Sequence, residues 1–172
     1  MGIVGSTKKL YIPVIMQKER GDEVNTKVEN SESGYSEYDE EAVCQEIEEK
    51  LGVLPVRFKY RPEGMVLTYY EIVGGSEEAI MEYSFEDGIL HICMEKKKRE
   101  TTTNFQLDGN VLEEVMVESC GMEVPVYDVA GSEQEYYYTA EFEYLNTYYW
   151  ISGNIDQEIF IKIIENILIK NE

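Results

Sequence analysis

The last helix constrains this chain more than any other segment. Asp156 is a good N-cap, and Ile155 before it is placed to staple onto Phe160 at the fourth helical position. Ile159, Phe160, Ile163, Ile164, Ile167 and Leu168 recur at helical spacing, while Lys162, Glu165, Asn166 and Lys170 are left for water. Six large apolar side chains, at about 1.5–3 kcal/mol each when buried, rival the whole stability of a domain. A helix with so broad a stripe must lie on something large.

The preceding segments offer a sheet. Ala79, Met81, Tyr83 and Phe85 share one strand face, and the turn at Glu86-Asp87-Gly88 leads into Leu90, Ile92 and Met94. A second pair covers residues 111–118 and 122–129, joined around Cys120-Gly121. A third covers 135–144 and 148–153 around Asn146, and residues 65–73 add one strand more. Another helix is marked nearer the start. Asp39, Glu40 and Glu41 crowd its first turn, Val43, Cys44, Ile47 and Leu51 share a face, and Gly52 stops it. The expectation is an α+β fold: a mostly antiparallel, twisted sheet of six to seven strands packed against a C-terminal helix, with one further helix near the N-terminus. Residues 39–172 form this single domain. Residues 1–38 precede it as an apolar start, an extended segment at 9–16 demoted to an edge by Pro13, and a polar linker from 18 to 38.

Charge excludes one class of partner. The chain of 172 residues carries 15 basic and 35 acidic side chains, a formal charge of −20, and a field of that sign repels nucleic acid. The one basic run, Lys96-Lys97-Lys98-Arg99, reads as a solvated loop tip. The three cysteines make no disulfide framework, and Cys44 and Cys93 are expected buried and unlinked. No catalytic, cofactor or metal motif is present. His91 and Cys93 point the same way on one strand, but nothing in the spacing of Cys44 or Cys120 completes a zinc site. Gly74-Gly75-Ser76 reads as a hairpin turn, not a phosphate loop.

The aromatic residues say more. Seven of the fourteen tyrosines lie between Tyr127 and Tyr149, beside Trp150. Such residues suit both a core boundary and a binding surface. Tyr136, Tyr138, Ala140, Phe142 and Tyr144 share one face, with Tyr137, Glu141 and Glu143 on the other. Tyr137 and Tyr149 are therefore expected at the surface as a partner-facing pair, and Trp150 inside, seating the helix that starts at Asp156.

Two stretches resemble a known family. They are Pro55-Val56-Arg57-Phe58-Lys59-Tyr60-Arg61-Pro62-Glu63-Gly64-Met65 and the closing Tyr148-Tyr149-Trp150-Ile151-Ser152-Gly153-Asn154-Ile155-Asp156. Together they are similar to a Gram-positive bacterial family known only as a domain of unknown function. Its members typically follow a single transmembrane helix, and some sit behind an anti-sigma-factor-like region. Pro62 and Gly64 then act as structural punctuation, as do Trp150 and Gly153, and no catalytic residue comes with the family. The resemblance would make the apolar start Met1-Gly2-Ile3-Val4-Gly5 the stub of a membrane anchor upstream of Met1; a cloning scar is the other reading. What it implies is an extracytoplasmic sensor or protein-interaction domain of a membrane-anchored protein, without catalysis or cofactor. The alternative is an envelope carrier that holds a lipid or apolar peptide between sheet and helix.

Overall fold

The computed structural model describes residues 27–29, 36–86, 88–97, 109–129 and 136–169. The extended segment expected at 9–16, most of the 18–38 stretch, and Lys98 and Arg99 of the basic run lie outside them. Lys96 and Lys97 are not a free tip: Lys96 Nζ donates to the Leu51 carbonyl and Lys97 Nζ to Glu143.

The polar stretch read as a linker contains a short antiparallel hairpin, β1 (Lys27–Glu29) with β2 (Ser36–Tyr38). Backbone pairing needs no apolar run, and Tyr38 supplies one buried ring, edge-on to Tyr70 at 5.2 Å. Helix α1 (Glu40–Leu51) follows as expected. Asp39 Oδ1 accepts from Ala42 N at 3.1 Å, and Val43, Cys44, Ile47 and Leu51 are buried.

Seven strands form the main sheet: β4 (Val66–Val73), β5 (Glu78–Phe85), β6 (Gly88–Lys96), β7 (Asn110–Val117), β8 (Met122–Asp128), β9 (Tyr138–Tyr144) and β10 (Thr147–Gly153). Their order is β4-β5-β6-β10-β9-β8-β7, with every pair antiparallel. Two meanders thus meet where β10 lies against β6. The fold is α+β, and both helices cover the same face of the sheet, which carries Met81, Tyr83, Ile92, Met94, Tyr149, Ile151, Ala140, Phe142, Val126 and Val124.

Helix α2 (Gln157–Glu165) begins at the expected cap, with Asp156 Oδ1 accepting from Glu158 N and Ile159 N. It ends sooner than its apolar stripe suggests. Asn166 folds back, its side-chain nitrogen on the Lys162 carbonyl at 2.7 Å, and its own carbonyl accepts from Lys59 N at 2.8 Å. Ile167 and Leu168 then form a two-residue strand, β11 (Ile167–Leu168), against β3 (Arg57–Phe58). Ile167 stays buried, but from a strand: side-chain periodicity registers burial and not the backbone that delivers it.

Three tyrosines of the sheet span this layer. Their rings are buried and their hydroxyls reach the α1 side: Tyr83 donates to Glu40 at 2.9 Å, Tyr70 to Glu46 at 2.9 Å, and Tyr149 to the Leu54 carbonyl at 2.7 Å. Each hydroxyl crosses an apolar layer without being left unsatisfied. Burial pushes the Cys44 thiol up to about 12. It also raises Tyr149, and Tyr83 well above the usual tyrosine value, where the Glu40 carboxylate adds to the effect.

These shifts fix the sign of an alkaline effect. The folded chain keeps these protons to higher pH than the unfolded chain does, so their stabilisation is complete below about pH 9 and is lost as pH rises beyond it. Stability should fall above about pH 9 by up to about 1.4 kcal/mol per pH unit for each such group. Urea melts between neutral pH and pH 11 check this, and Tyr83→Phe should flatten the slope. A slope unchanged by that substitution would place the Tyr83 hydroxyl in water.

Candidate functional site

The motif residues at 55–65 brace the two helices. Arg57 bonds Glu41 at 3.0 Å and Glu48 at 3.2 Å, and Arg61 bonds Glu40 at 2.6 Å and the Met65 carbonyl at 3.3 Å. Phe58 stands edge-on to Tyr83 at 5.4 Å, and Lys162 of α2 lies 4.2 Å from the centre of the Tyr60 ring. Pro62 and Gly64 make the turn between them: Met65 N donates to the Pro62 carbonyl, and Gly64 holds φ +76°. That left-handed conformation is the one glycine adopts without penalty.

The face of the sheet turned away from the helices is polar at its centre and closed to solvent. One cross-strand row places Glu82, His91, Ser152 and Thr139 side by side on β5, β6, β10 and β9. His91, Ser152 and Thr139 are all buried. Glu82 lies 3.7 Å from His91 Nδ1, and Thr139 Oγ1 shares a 3.0 Å hydrogen bond with Ser152 Oγ. In the next row Cys93 Sγ donates to Glu78 at 3.1 Å, and Tyr148 bonds Glu141. A Glu–His–Ser order has the residue types of a nucleophilic triad. Here the carboxylate stands beyond hydrogen-bond reach of the ring, and the serine engages a threonine. The sheet separates Cys93 from Cys44 of α1. Among the described residues no group of three His, Cys, Asp or Glu is placed to hold a metal ion.

A solvent-open cleft lies where β9 begins and β10 ends. Its volume is about 340 Å³, and it is lined by Phe85, Glu86, Gly88, Tyr137, Asn154, Ile155, Asp156 and Ile159. Tyr137 is 51% exposed. The wall is tightly seated. A Cβ on Gly153 would meet the Phe160 ring at 3.2 Å and Ile155 at 3.4 Å, and one on Gly88 would strike Ile155. Gly153 thus lets the Ile155–Phe160 staple close over the sheet end. The polar groups of the cleft are a phenol, the Asn154 amide and two carboxylates, Glu86 and Asp156, against an apolar floor. That set suits a side chain with an apolar stem and a cationic or amide head.

The expected pair of surface tyrosines is not a pair. Tyr137 is at the surface, but Tyr149 is fully buried, stacked on Phe142 at 5.1 Å. The register decides it: Tyr149 lies opposite Phe142 and Met94, both on the helix-facing side. Trp150 is buried, yet it sits opposite Cys93 and Glu141 on the far face and does not seat α2. Tyr138 takes that place, its ring 5.8 Å from Phe160. Sequence parity within β9 was sound; its phase relative to β10 needed the hairpin loop, which has two residues, Leu145 and Asn146, both with positive φ. The cleft floor of Phe85, Ile155 and Ile159 drew no attention in the sequence, because each residue also fits an ordinary core position.

A family model described as Domain of unknown function (DUF4367) matches residues 55–167, well over half of the chain. The chain belongs to this family. Neither a curated protein nor a solved structure matches it. The DUF4367 span takes in the bracing motif, the whole main sheet and α2, and stops on β11. It leaves out α1, although Glu40, Glu41 and Glu48 of α1 hold the motif's arginines.

Substitutions separate the two tyrosines. Tyr149→Phe should cost about 1–3 kcal/mol, because it strands a buried carbonyl, and Tyr149→Ala about 3–5 kcal/mol. Tyr137→Ala should stay within about 0.5 kcal/mol of the parent chain. Urea melts give the three values. Equal losses at Tyr137 and Tyr149 would show the faces of β9 and β10 assigned the wrong way round.

Proposed function

We propose that this chain is a non-catalytic interaction and sensing domain on the outer side of a bacterial membrane, binding a protein partner through the Tyr137 cleft. The observation that carries the reading is where apolar surface is and is not available. Between sheet and helices, Tyr83, Tyr149, Phe160, Met81, Met94, Ile151 and Ile163 are each fully buried, so a lipid there would have to displace the core. At the sheet end, by contrast, the exposed Tyr137 phenol and the partly exposed Ile159 stand beside the Glu86 and Asp156 carboxylates. An aromatic anchor with a polar rim is the usual make-up of a binding hot spot. His91, Ser152 and Thr139 of the polar row are buried and do not line this cleft, which favours binding over turnover.

The extracytoplasmic, membrane-anchored setting rests on the resemblance of the 55–65 and 148–156 stretches to Gram-positive proteins that follow a single transmembrane helix, some of them behind anti-sigma-factor-like regions. Among the described residues no helix is long and apolar enough to cross a membrane, so the anchor in this reading is supplied by another segment.

A photo-crosslinking amino acid at Tyr137, in the membrane-bound protein in its own cells, tests the proposal. A discrete protein adduct should form from Tyr137 and not from the exposed α1 position Gln45. Absence of that adduct, together with native mass spectra showing a co-purifying lipid, would favour the carrier reading and overturn this one.

A further inference from the structure

Strand β7 ends the sheet, and its outer edge has no partner strand among the described residues. Sheet edges are commonly blunted by charge, proline, brevity or a bulge, and β7 is guarded by Glu113, Glu114 and the register shift at Val111/Glu113. β7 has eight residues and neither lysine nor proline. Val115 and Val117 turn inward, but Val111 is 55% exposed, Met116 48% and Leu112 37%. Its charge is of one sign only. Glu113 and Glu114 are exposed at mid-strand, Glu118 is exposed in the following turn, and Glu123 is exposed opposite Met116.

That charge selects the occupant. Were a second copy to pair antiparallel about Glu113 or Glu114, that glutamate would face its own counterpart, and like charges directly opposite destabilise a ladder. A strand with Lys or Arg at those places has the opposite balance. Its backbone completes the ladder, its cations lie on the face that carries Glu114 and Glu123, and its alternate apolar side chains lie on the other face beside Val115 and Val117. We propose that β7 is a strand-augmentation site for an extended segment of a protein partner in which apolar and basic residues alternate. The site is distinct from the Tyr137 cleft, and the pairing is testable without reference to it.

The probes are labelled peptides of about ten residues, alternating Val with Lys, Val with Glu, and Pro with Lys, titrated into the full chain. The Val–Lys peptide should bind at least about tenfold more tightly than either control. Amide hydrogen exchange should slow in residues 110–116 on binding. Tyr137→Ala should leave the affinity unchanged, so failure of the cleft reading is seen separately. The exposed double change Glu113→Lys with Glu114→Lys should keep the parent melting temperature and reverse the preference toward Val–Glu. Equal binding of Pro–Lys would reduce the effect to diffuse attraction by a chain of charge −20. Either that result or protection mapping outside β7 would overturn the proposal.

Discussion

The fold depends on the register of β10 between β6 and β9. β10 is the middle strand of seven, and every residue of it except Tyr148 is buried. Ile151 lies between Ile92 and Ala140 on the helix side, and Trp150 between Cys93 and Glu141 on the other. A slip of one residue would exchange these sets, driving Trp150 into the helix layer and taking the Tyr149 hydroxyl off the Leu54 carbonyl. Register is set locally at the β9–β10 hairpin, whose two loop residues both hold positive φ as the twist of the strands requires. For Leu145 that conformation costs about 1–2 kcal/mol. Pairing along both edges of β10 offsets it.

With β10 in place, the remaining parts follow from covering one face. α2 lies across it, α1 is held by tyrosine hydroxyls, and the 55–65 segment ties α1 to the end of α2 through Arg57, Arg61 and the β3–β11 pairing. Individually these partly exposed ion pairs contribute about 0.2–1 kcal/mol. Their role is to fix where α1 sits, since three of its glutamates answer two arginines. Among the described residues, large exposed apolar side chains then occur at the sheet end, on β7, and at Leu145 in the β9–β10 turn. Asn110 lies opposite Asp128, which in turn lies opposite Tyr138, so the exposed half of β7 and Tyr137 belong to the same end of the sheet.

The sequence was most legible where a local signal and a burial pattern coincide. Asp156 as a cap, Gly52 as a stop, and the alternation of Ala79 to Phe85 each carry a local cause, and each held, while Asp39, read into the first turn, is the cap itself. The reading of a helix through Leu168 failed because Ile167 is buried in either backbone state, and the helix ends at Glu165 where the chain meets a partner strand more than a hundred residues earlier, at Arg57–Phe58. Tyr149 was misplaced because strand parity gives two faces without saying which one the helices cover. The β7 edge carries its own sign in the sequence. Val111-Leu112 and Glu113-Glu114 break the alternation, and the structure has a register shift there, as at an irregular edge strand.

The most direct test of the account is the register itself, read from cross-strand proton contacts in the nuclear Overhauser spectrum of the isolated domain. The structure requires backbone contacts across β6 and β10 that set Trp150 against Cys93 and Ile151 against Ile92, with the Tyr149 ring close to Phe142. Contacts pairing Tyr149 with Cys93 would contradict it, and with it the separation of a filled layer from an open, partner-facing end.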